Sequence, residues 1–214
     1  MRVVISGTVG VGKSTTTEIL IQKLKAKKWE VSHLTEKTSD SPYLVHFYAE
    51  PSKWAFIAQL DFLFERFKQW LIDEKDRKTK ENKVITVYDR HFIDDYIFAE
   101  LHSIKENISN INSITYQVVY KELLDKLQEY NAIPDYFFLL EADLSTIVER
   151  LHKRGREEEK ETNENYWKEL YDSYYIKPKF KYHFNKYNKE VVRINTENKE
   201  PKVVAEEILE KIEG

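Results

Sequence analysis

Arg2-Val3-Val4-Ile5-Ser6-Gly7-Thr8-Val9-Gly10-Val11-Gly12-Lys13-Ser14-Thr15 is the stretch whose reading decides the fold. Val3 to Ile5 is an apolar run that predicts a buried strand, and it feeds into G-x-x-G-x-G-K-S. That run fits the phosphate-loop pattern G-x-x-x-x-G-K-[ST], anchored on Gly7, Gly12, Lys13 and Ser14. Glycines permit positive φ and close backbone approach, so successive N–H groups can point at phosphate oxygens. Thr15 to Leu24 carries apolar residues at helical spacing, which places a helix N-terminus against the same phosphates. The candidate triphosphate ligands are therefore Gly7, Thr8, Val9, Gly10, Val11, Gly12, Lys13, Ser14 and Thr15. Lys13 would reach the β- and γ-phosphates, and the Ser14 hydroxyl would ligate Mg²⁺.

Working outward, strand and helix signals alternate to the end of the chain. Apolar or alternating runs predict strands at Trp29–Thr35, Val84–Tyr88, Tyr136–Leu140 and Val191–Ile194. Helical spacing predicts a long helix from about Trp54 to Glu74, with Phe56, Leu60, Leu63, Phe67 and Leu71 on one face. Further helical patterns cover Asp95–His102, Tyr116–Glu129, Leu144–Lys153, Tyr166–Phe184 and Val203–Ile212. The charged run Asp73–Lys83 reads as a solvated helix end and loop, and Arg154–Glu161 as a loop. Strands alternating with helices imply a parallel sheet covered on both faces, because parallel pairs need crossover connections. Ligands bind such sheets at the carboxyl ends of the strands, where Gly7, Glu36 and Asp89 should converge.

Composition sets the outer limits. The 214 residues suffice for one α/β domain with a full core, spanning 1–214. A formal net charge of -3 disfavours polymeric nucleic acid as a partner. Cysteine is absent, which removes disulfides and cysteine-based nucleophiles or metal sites and agrees with a cytoplasmic setting. No apolar run has transmembrane length, and the first residues read as a strand and not a signal peptide, so no membrane partner is expected.

A phosphate loop leaves the phosphoryl acceptor open. Asp89-Arg90, at the end of the third strand, pairs a carboxylate that can hold Mg²⁺ with a guanidinium that can stabilise charge on a transferred phosphoryl group. Read alone, it would be an ion pair at a strand end.

Three further segments resemble the deoxynucleoside kinase family, which includes bacterial deoxyadenosine and deoxyguanosine kinases and animal deoxycytidine kinase. Ser41-Pro42-Tyr43-Leu44-Val45-His46-Phe47-Tyr48-Ala49-Glu50-Pro51-Ser52-Lys53-Trp54-Ala55-Phe56-Ile57-Ala58-Gln59 is similar to its N-P-x-L-x-x-F-Y-x-x-P-x-x-[WY]-x-[FL]-x-x-Q stretch. Asp89-Arg90-His91-Phe92-Ile93-Asp94-Asp95-Tyr96-Ile97-Phe98-Ala99 resembles [ED]-R-S-x-x-x-D-x-x-I-F-A, and Arg150 to Glu159 resembles the lid R-I-x-x-R-G-R-x-E-E. With the phosphate loop, these matches follow the family order from Gly7 to Glu159.

The resemblance implies a phosphate-loop kinase fold: a five-stranded parallel sheet flanked by helices, with an arginine-rich lid at about 150–162. It also implies roles. Glu36 is the catalytic base that takes the proton from the 5′-hydroxyl, with Arg90 and Lys13 as its catalytic companions. Gln59, Arg66 and Asp95 read the base. Tyr48 and Glu159 hold the sugar 3′-hydroxyl, and Glu36 and Arg90 complete the nucleoside site. Arg150, Arg154 and Arg156 cover the phosphates and the donor base, and Ser14 and Asp89 hold Mg²⁺. The partners implied are a deoxynucleoside, ATP or another nucleoside triphosphate, and a second copy in a homodimer.

The chain departs from the family pattern at several places. Glu36-Lys37 stands where Glu-Pro is usual, Ser41 replaces Asn, and His91 replaces Ser. Asp94 and Asp95 compete for one role, and spacing from Arg90 favours Asp95. A thymidylate kinase would normally carry an arginine where Glu36 stands, since a carboxylate repels a monophosphate acceptor. A GTP-dependent switch would need N-K-x-D, and the chain offers only Asn185-Lys186-Tyr187-Asn188. The sequence therefore favours transfer of the γ-phosphoryl group to a deoxynucleoside, deoxyadenosine first.

Overall fold

A computed structural model describes residues 1–35, 41–79, 84–156, 163–176 and 190–214. Five strands form its sheet: β1 (Arg2–Ser6), β2 (Glu30–Leu34), β3 (Val84–Asp89), β4 (Tyr136–Glu141) and β5 (Val191–Asn195). All pairs are parallel, in the order β2-β3-β1-β4-β5. The helices are α1 (Lys13–Ala26), α2 (Leu44–Ala49), α3 (Pro51–Thr79), α4 (Phe92–Ile104), α5 (Asn110–Glu129), α6 (Leu144–Arg154), α7 (Glu164–Tyr175) and α8 (Pro201–Glu213).

The central strands are continuous apolar runs because both their faces are covered. Val3, Val4, Ile5, Phe138 and Leu140 are fully buried, and α1 and α8 pack together beneath them through Leu20, Leu24, Ala205 and Ile208. A second apolar cluster joins α3, α4 and α5 through Leu63, Trp70, Ala99, Tyr116 and Leu124. The register aligns Ile5 with Asp89 and Ser6 with Leu139. Chain reversals after β1 and β3 therefore emerge side by side at the carboxyl edge.

The sequence expectation fails on α3 for a physical reason. The helix continues through Asp73 to Thr79, and Asp73 and Arg77 are buried instead of solvated. Asp73 accepts hydrogen bonds from Arg2 Nε at 2.7 Å, Arg77 Nε at 2.9 Å, Tyr88 Oη at 2.8 Å and the Thr86 hydroxyl. Charges inside helix and strands thus neutralise one another, and burial needs no apolar pattern. The inward face is also rotated from the one expected. It runs through Ala55, Gln59, Leu63, Arg66, Trp70, Asp73 and Arg77, while Leu71 is 48 % exposed.

Other boundaries shift too: α5 begins at Asn110, six residues before the expected Tyr116, with the Ser109 hydroxyl accepting the Asn112 N–H as its cap. The short helix α2 has no counterpart among the expected elements, and α4 begins at Phe92, three residues before the expected Asp95. Asp94 explains that early start: its Oδ2 accepts the His91 N–H at 2.8 Å and caps the first turn. The helix expected over Tyr166–Phe184 spans Glu164–Tyr175, and 177–189 lie outside the described residues. No helix among the described residues is long and apolar enough to cross a membrane.

Candidate functional site

The turn after β1 wraps into α1 only because of its glycines. Gly7 has φ +140°, and a Cβ there would lie 2.6 Å from the Leu140 carbonyl oxygen. Gly12 precedes α1 with φ +103°, a value that L side chains avoid. Lys13 folds back over the loop and donates to Thr8 O at 2.9 Å. Ser14 Oγ donates to Asp89 Oδ2 at 2.8 Å, so the loop and the end of β3 are joined. Asp89 Oδ1 is buried with no hydrogen-bond partner among the described residues.

A cavity of about 540 Å³ opens over this edge of the sheet. Its wall includes Val9 to Thr16 with Arg150, Arg154, Arg156, Thr196 and Lys199. The same wall includes Phe47, Tyr48, Gln59, Phe62, Asp95 and Phe98, together with Arg90. The wall therefore joins phosphate-loop residues to Tyr48, Gln59, Arg90 and Asp95, while Arg66 and Asp89 are not part of it. Gly7 and Thr8 sit behind that wall; the Thr8 N–H donates to Tyr175 Oη at 3.1 Å.

Arg90 follows β3 with φ +70°, a conformation that costs a bulky residue free energy and marks a constrained site. Its guanidinium lies 4.9 Å from the Phe98 ring centroid and donates to Tyr174 Oη at 3.1 Å. Arg66 donates to Asp89 O at 2.9 Å and pairs with Asp95 through Nε–Oδ2 at 3.3 Å, both side chains buried. Asp95 thus faces the cavity from a fixed position. Asp94, the competing acid, instead accepts from Ser6 Oγ at 2.6 Å and Tyr174 Oη at 2.8 Å and lies outside the cavity wall. Gln59 is 1 % exposed, and its Oε1 has no hydrogen-bond partner among the described residues.

His91 is buried between these groups, and its pKa is lowered to about 3 by burial and by the charges of Arg66 and Arg2. A neutral ring there adds no further positive charge beside Arg66.

Arg150 reaches from α6 to donate to Val11 O at 3.2 Å and to Thr196 O at 3.0 Å. It braces the phosphate loop against the turn after β5. Arg154 ends α6, and Arg156 follows Gly155, whose φ of +62° closes that helix. Glu36 and Glu159 lie outside the described residues, as does the part of the expected lid at 157–162. The sequence reading missed Thr196 and Lys199, which carry no motif and reach the cavity only through the β5 turn. It also missed Phe62, which was hidden in the long helical pattern of α3.

A parallel sheet, a glycine-rich loop running into a helix and an acid–arginine pair on the next strand define a phosphate-loop phosphotransferase. Within that class, a family model described as "Deoxynucleoside kinase" matches residues 3–214, and the chain belongs to the deoxynucleoside kinase family. It is 35 % identical over 175 residues to a deoxyadenosine/deoxycytidine kinase of Bacillus subtilis, covering 80 % of this chain and 74 % of that one. It is 30 % identical over 174 residues to a deoxyguanosine kinase of the same organism, covering 81 % and 76 %. The fold is similar to deoxyadenosine kinase from M. mycoides with bound dCTP, with TM-score 0.77, 26 % identity, and 100 % and 99 % of the two chains covered. The same enzyme with bound dATP gives TM-score 0.73 at 26 % identity, with 100 % of both chains covered.

Proposed function

We propose that the chain transfers the γ-phosphoryl group of ATP, or of another nucleoside triphosphate, to the 5′-hydroxyl of a deoxynucleoside, deoxyadenosine foremost. The observation that supports this reading is that phosphate-loop residues and Gln59 and Asp95 line one and the same cavity. Adenine presents a ring acceptor beside an exocyclic amino donor, which an amide can meet with its own donor and acceptor. The Gln59 Oε1 that lacks a partner supports that pairing. Asp95, fixed by Arg66, accepts from an amino group and repels a carbonyl oxygen. Deoxycytidine, with a comparable ring acceptor and amino group, follows closely; guanine and thymine both present a carbonyl, but guanine keeps an exocyclic amino donor that thymine lacks, so deoxyguanosine comes next and thymidine last. The 35 % identity to a deoxyadenosine/deoxycytidine kinase supports placing those two nucleosides first.

Glu36 takes the proton as the 5′-oxygen attacks the γ-phosphorus and the bond to the β-phosphate oxygen breaks. Lys13 and Arg90 balance the charge on the transferred group, and Tyr48 and Glu159 hold the sugar. Arg154 and Arg156 border the donor phosphates, and Arg150 keeps the loop in place. Ser14 and Asp89 fit Mg²⁺: a hydroxyl and a carboxylate already touch, and Asp89 Oδ1 is a buried acceptor without a partner. Bound there with the triphosphate, the ion would neutralise charge on the phosphate oxygens. No cluster of three His, Cys, Asp or Glu ligands exists among the described residues, so Ser14 and Asp89 would hold the ion together with the bound triphosphate. A homodimer and a cytoplasmic setting complete the proposal.

The test is kcat/KM for the four natural deoxynucleosides with ATP, on the wild type and on Asp95→Ala. Deoxyadenosine should be the best substrate and thymidine the worst, and Asp95→Ala should narrow the gap. A buried polar group left unpaired by the wrong base discriminates by as much as ~10⁴-fold. Thymidine as the best substrate, or unchanged discrimination in Asp95→Ala, would remove this pocket from base selection. Turnover of a nucleoside monophosphate in preference to any nucleoside would reject the acceptor class.

A further inference from the structure

Arg90 occupies a strained backbone position, and its guanidinium has to be aimed across the cavity wall. Tyr174, in the last turn of α7, is 1 % exposed and packs its ring edge-on against Phe98 at 6.3 Å between centroids. Its hydroxyl accepts from Arg90 Nη1 at 3.1 Å and donates to Asp94 Oδ1 at 2.8 Å. Asp94 is fully buried and is itself fixed by Ser6 Oγ and by the His91 N–H. The arginine, the phenol and the carboxylate therefore form a chain whose far end is built into β1 and the α4 cap. Burial and the Asp94 charge push the Tyr174 hydroxyl well above its ordinary pKa, so it keeps the proton it donates.

The neighbouring Tyr175 does a different job. Its hydroxyl donates to Leu140 O at 2.8 Å and accepts the Thr8 N–H at 3.1 Å, which ties the first turn of the phosphate loop to β4. Two adjacent tyrosines on one helix thus hold two different parts of the site.

We propose that Tyr174 is a positioning residue that holds the Arg90 guanidinium on the transferred phosphoryl group by joining it to Asp94. This rests on Arg90 acting in the reaction. Tyr174 is absent from the cavity wall and acts through Arg90. A hydroxyl is needed, because only a group that donates and accepts at once can link a guanidinium to a carboxylate at this spacing. Phenylalanine would keep the ring against Phe98 and lose only the link.

The experiment is a double-mutant cycle with Tyr174→Phe and Arg90→Ala, read as kcat and as KM for nucleoside and for ATP. Tyr174→Phe alone should lower kcat by roughly 10- to 100-fold with both KM values within about threefold, since a misaimed charge weakens the transition state more than the bound ground state. In the Arg90→Ala background the same substitution should change kcat by less than about twofold. Equal losses in both backgrounds, or a Tyr174→Phe enzyme with wild-type kcat, would overturn the proposal. Arg90→Ala with wild-type kcat would instead reject the role of Arg90, so the two failures are distinguishable. Tyr175→Phe supplies the contrast: its loss should fall on the KM for ATP through the phosphate loop. If Tyr175→Phe lost kcat as Tyr174→Phe does, with no rise in that KM, a general loosening of α7 would replace the specific link. Melting curves of each variant separate both outcomes from loss of fold.

Discussion

His102 shows how one side chain ties the rim of the nucleoside cavity to pH. It is buried in α4, edge-on to Phe47 at 4.8 Å between ring centroids. Asn107 Nδ2 lies 3.1 Å from its Nδ1 and Tyr166 Oη lies 3.4 Å from its Nε2. With Asn107 donating to Nδ1, the neutral ring carries its proton on Nε2. Burial, helped by the Lys105 charge, lowers its pKa to about 4. The unfolded chain binds this proton below about pH 6.5, whereas the folded protein refuses it until about pH 4. Stability is therefore full above that upper value and falls as pH drops through the window, by at most about 1.4 kcal/mol per pH unit. Melting temperatures from pH 7 to pH 5 should decline, and His102→Gln should flatten the decline; parallel curves would refute the assignment. Most of the candidate site was legible at this scale, because Gly7, Lys13, Gln59, Arg90 and Asp95 stand in spaced motifs. Tyr174 and Thr196 were not, because a tyrosine inside a helix or a threonine after a strand acquires its role only from tertiary neighbours.

Among the elements, α3 departs furthest from its sequence pattern, and the departure has consequences for stability. Amphipathic periodicity assumes that charges face water, so Asp73 and Arg77 read as solvated. The structure encloses them with Arg2 from β1 and with Thr86 and Tyr88 from β3. Burial alone would push the Asp73 carboxyl upward, but the hydrogen bonds from Thr86 and Arg77 and the Arg2 charge hold it below the usual carboxylate range. Removing Asp73 would leave two buried guanidinium groups facing each other, and breaking a buried pair in this way costs about 3–5 kcal/mol. Asp73→Ala should therefore lower the melting temperature by roughly 10 °C. Its kcat per folded molecule should hold at temperatures well below the new midpoint, since none of these groups lines the cavity. A melting temperature within about 2 °C of wild type would mean the network adds little net stability. The strands were easier to read than this helix. Their apolar runs have no competing interpretation once a glycine-rich turn or an Asp-Arg pair follows them.

At the scale of the whole molecule, α3 and α5 carry apolar residues that the described residues leave exposed. On α3, Ile57, Phe64 and Leu71 recur every seven residues and are 38 %, 46 % and 48 % exposed. On α5, Ile111, Ile114 and Val118 are 74 %, 62 % and 58 % exposed. On α5 the set lies opposite the core residues Tyr116 and Leu124, and on α3 it runs alongside the face that carries Leu63 and Trp70. Single exposed apolar residues are ordinary, but two stripes on adjacent helices together are the composition of an interface core. The alternating strands and helices gave the sheet from sequence alone; these outward faces could not be told from core-facing ones, because helical periodicity has no sign. The proposed homodimer would supply an occupant for them: α3 and α5 of one copy against the same pair of another, in the self-complementary contact of a twofold dimer. Light scattering at micromolar concentration should then give about twice the 25.7 kDa chain mass. Phe64→Glu and Ile114→Glu should each shift the mass toward the monomer, because both place a carboxylate where apolar surface must be desolvated. Both substitutions sit outside the cavity wall, so the deoxynucleoside should still bind. A monomer mass for the wild type would refute the dimer. A dimer that survives both substitutions would move the interface off α3 and α5.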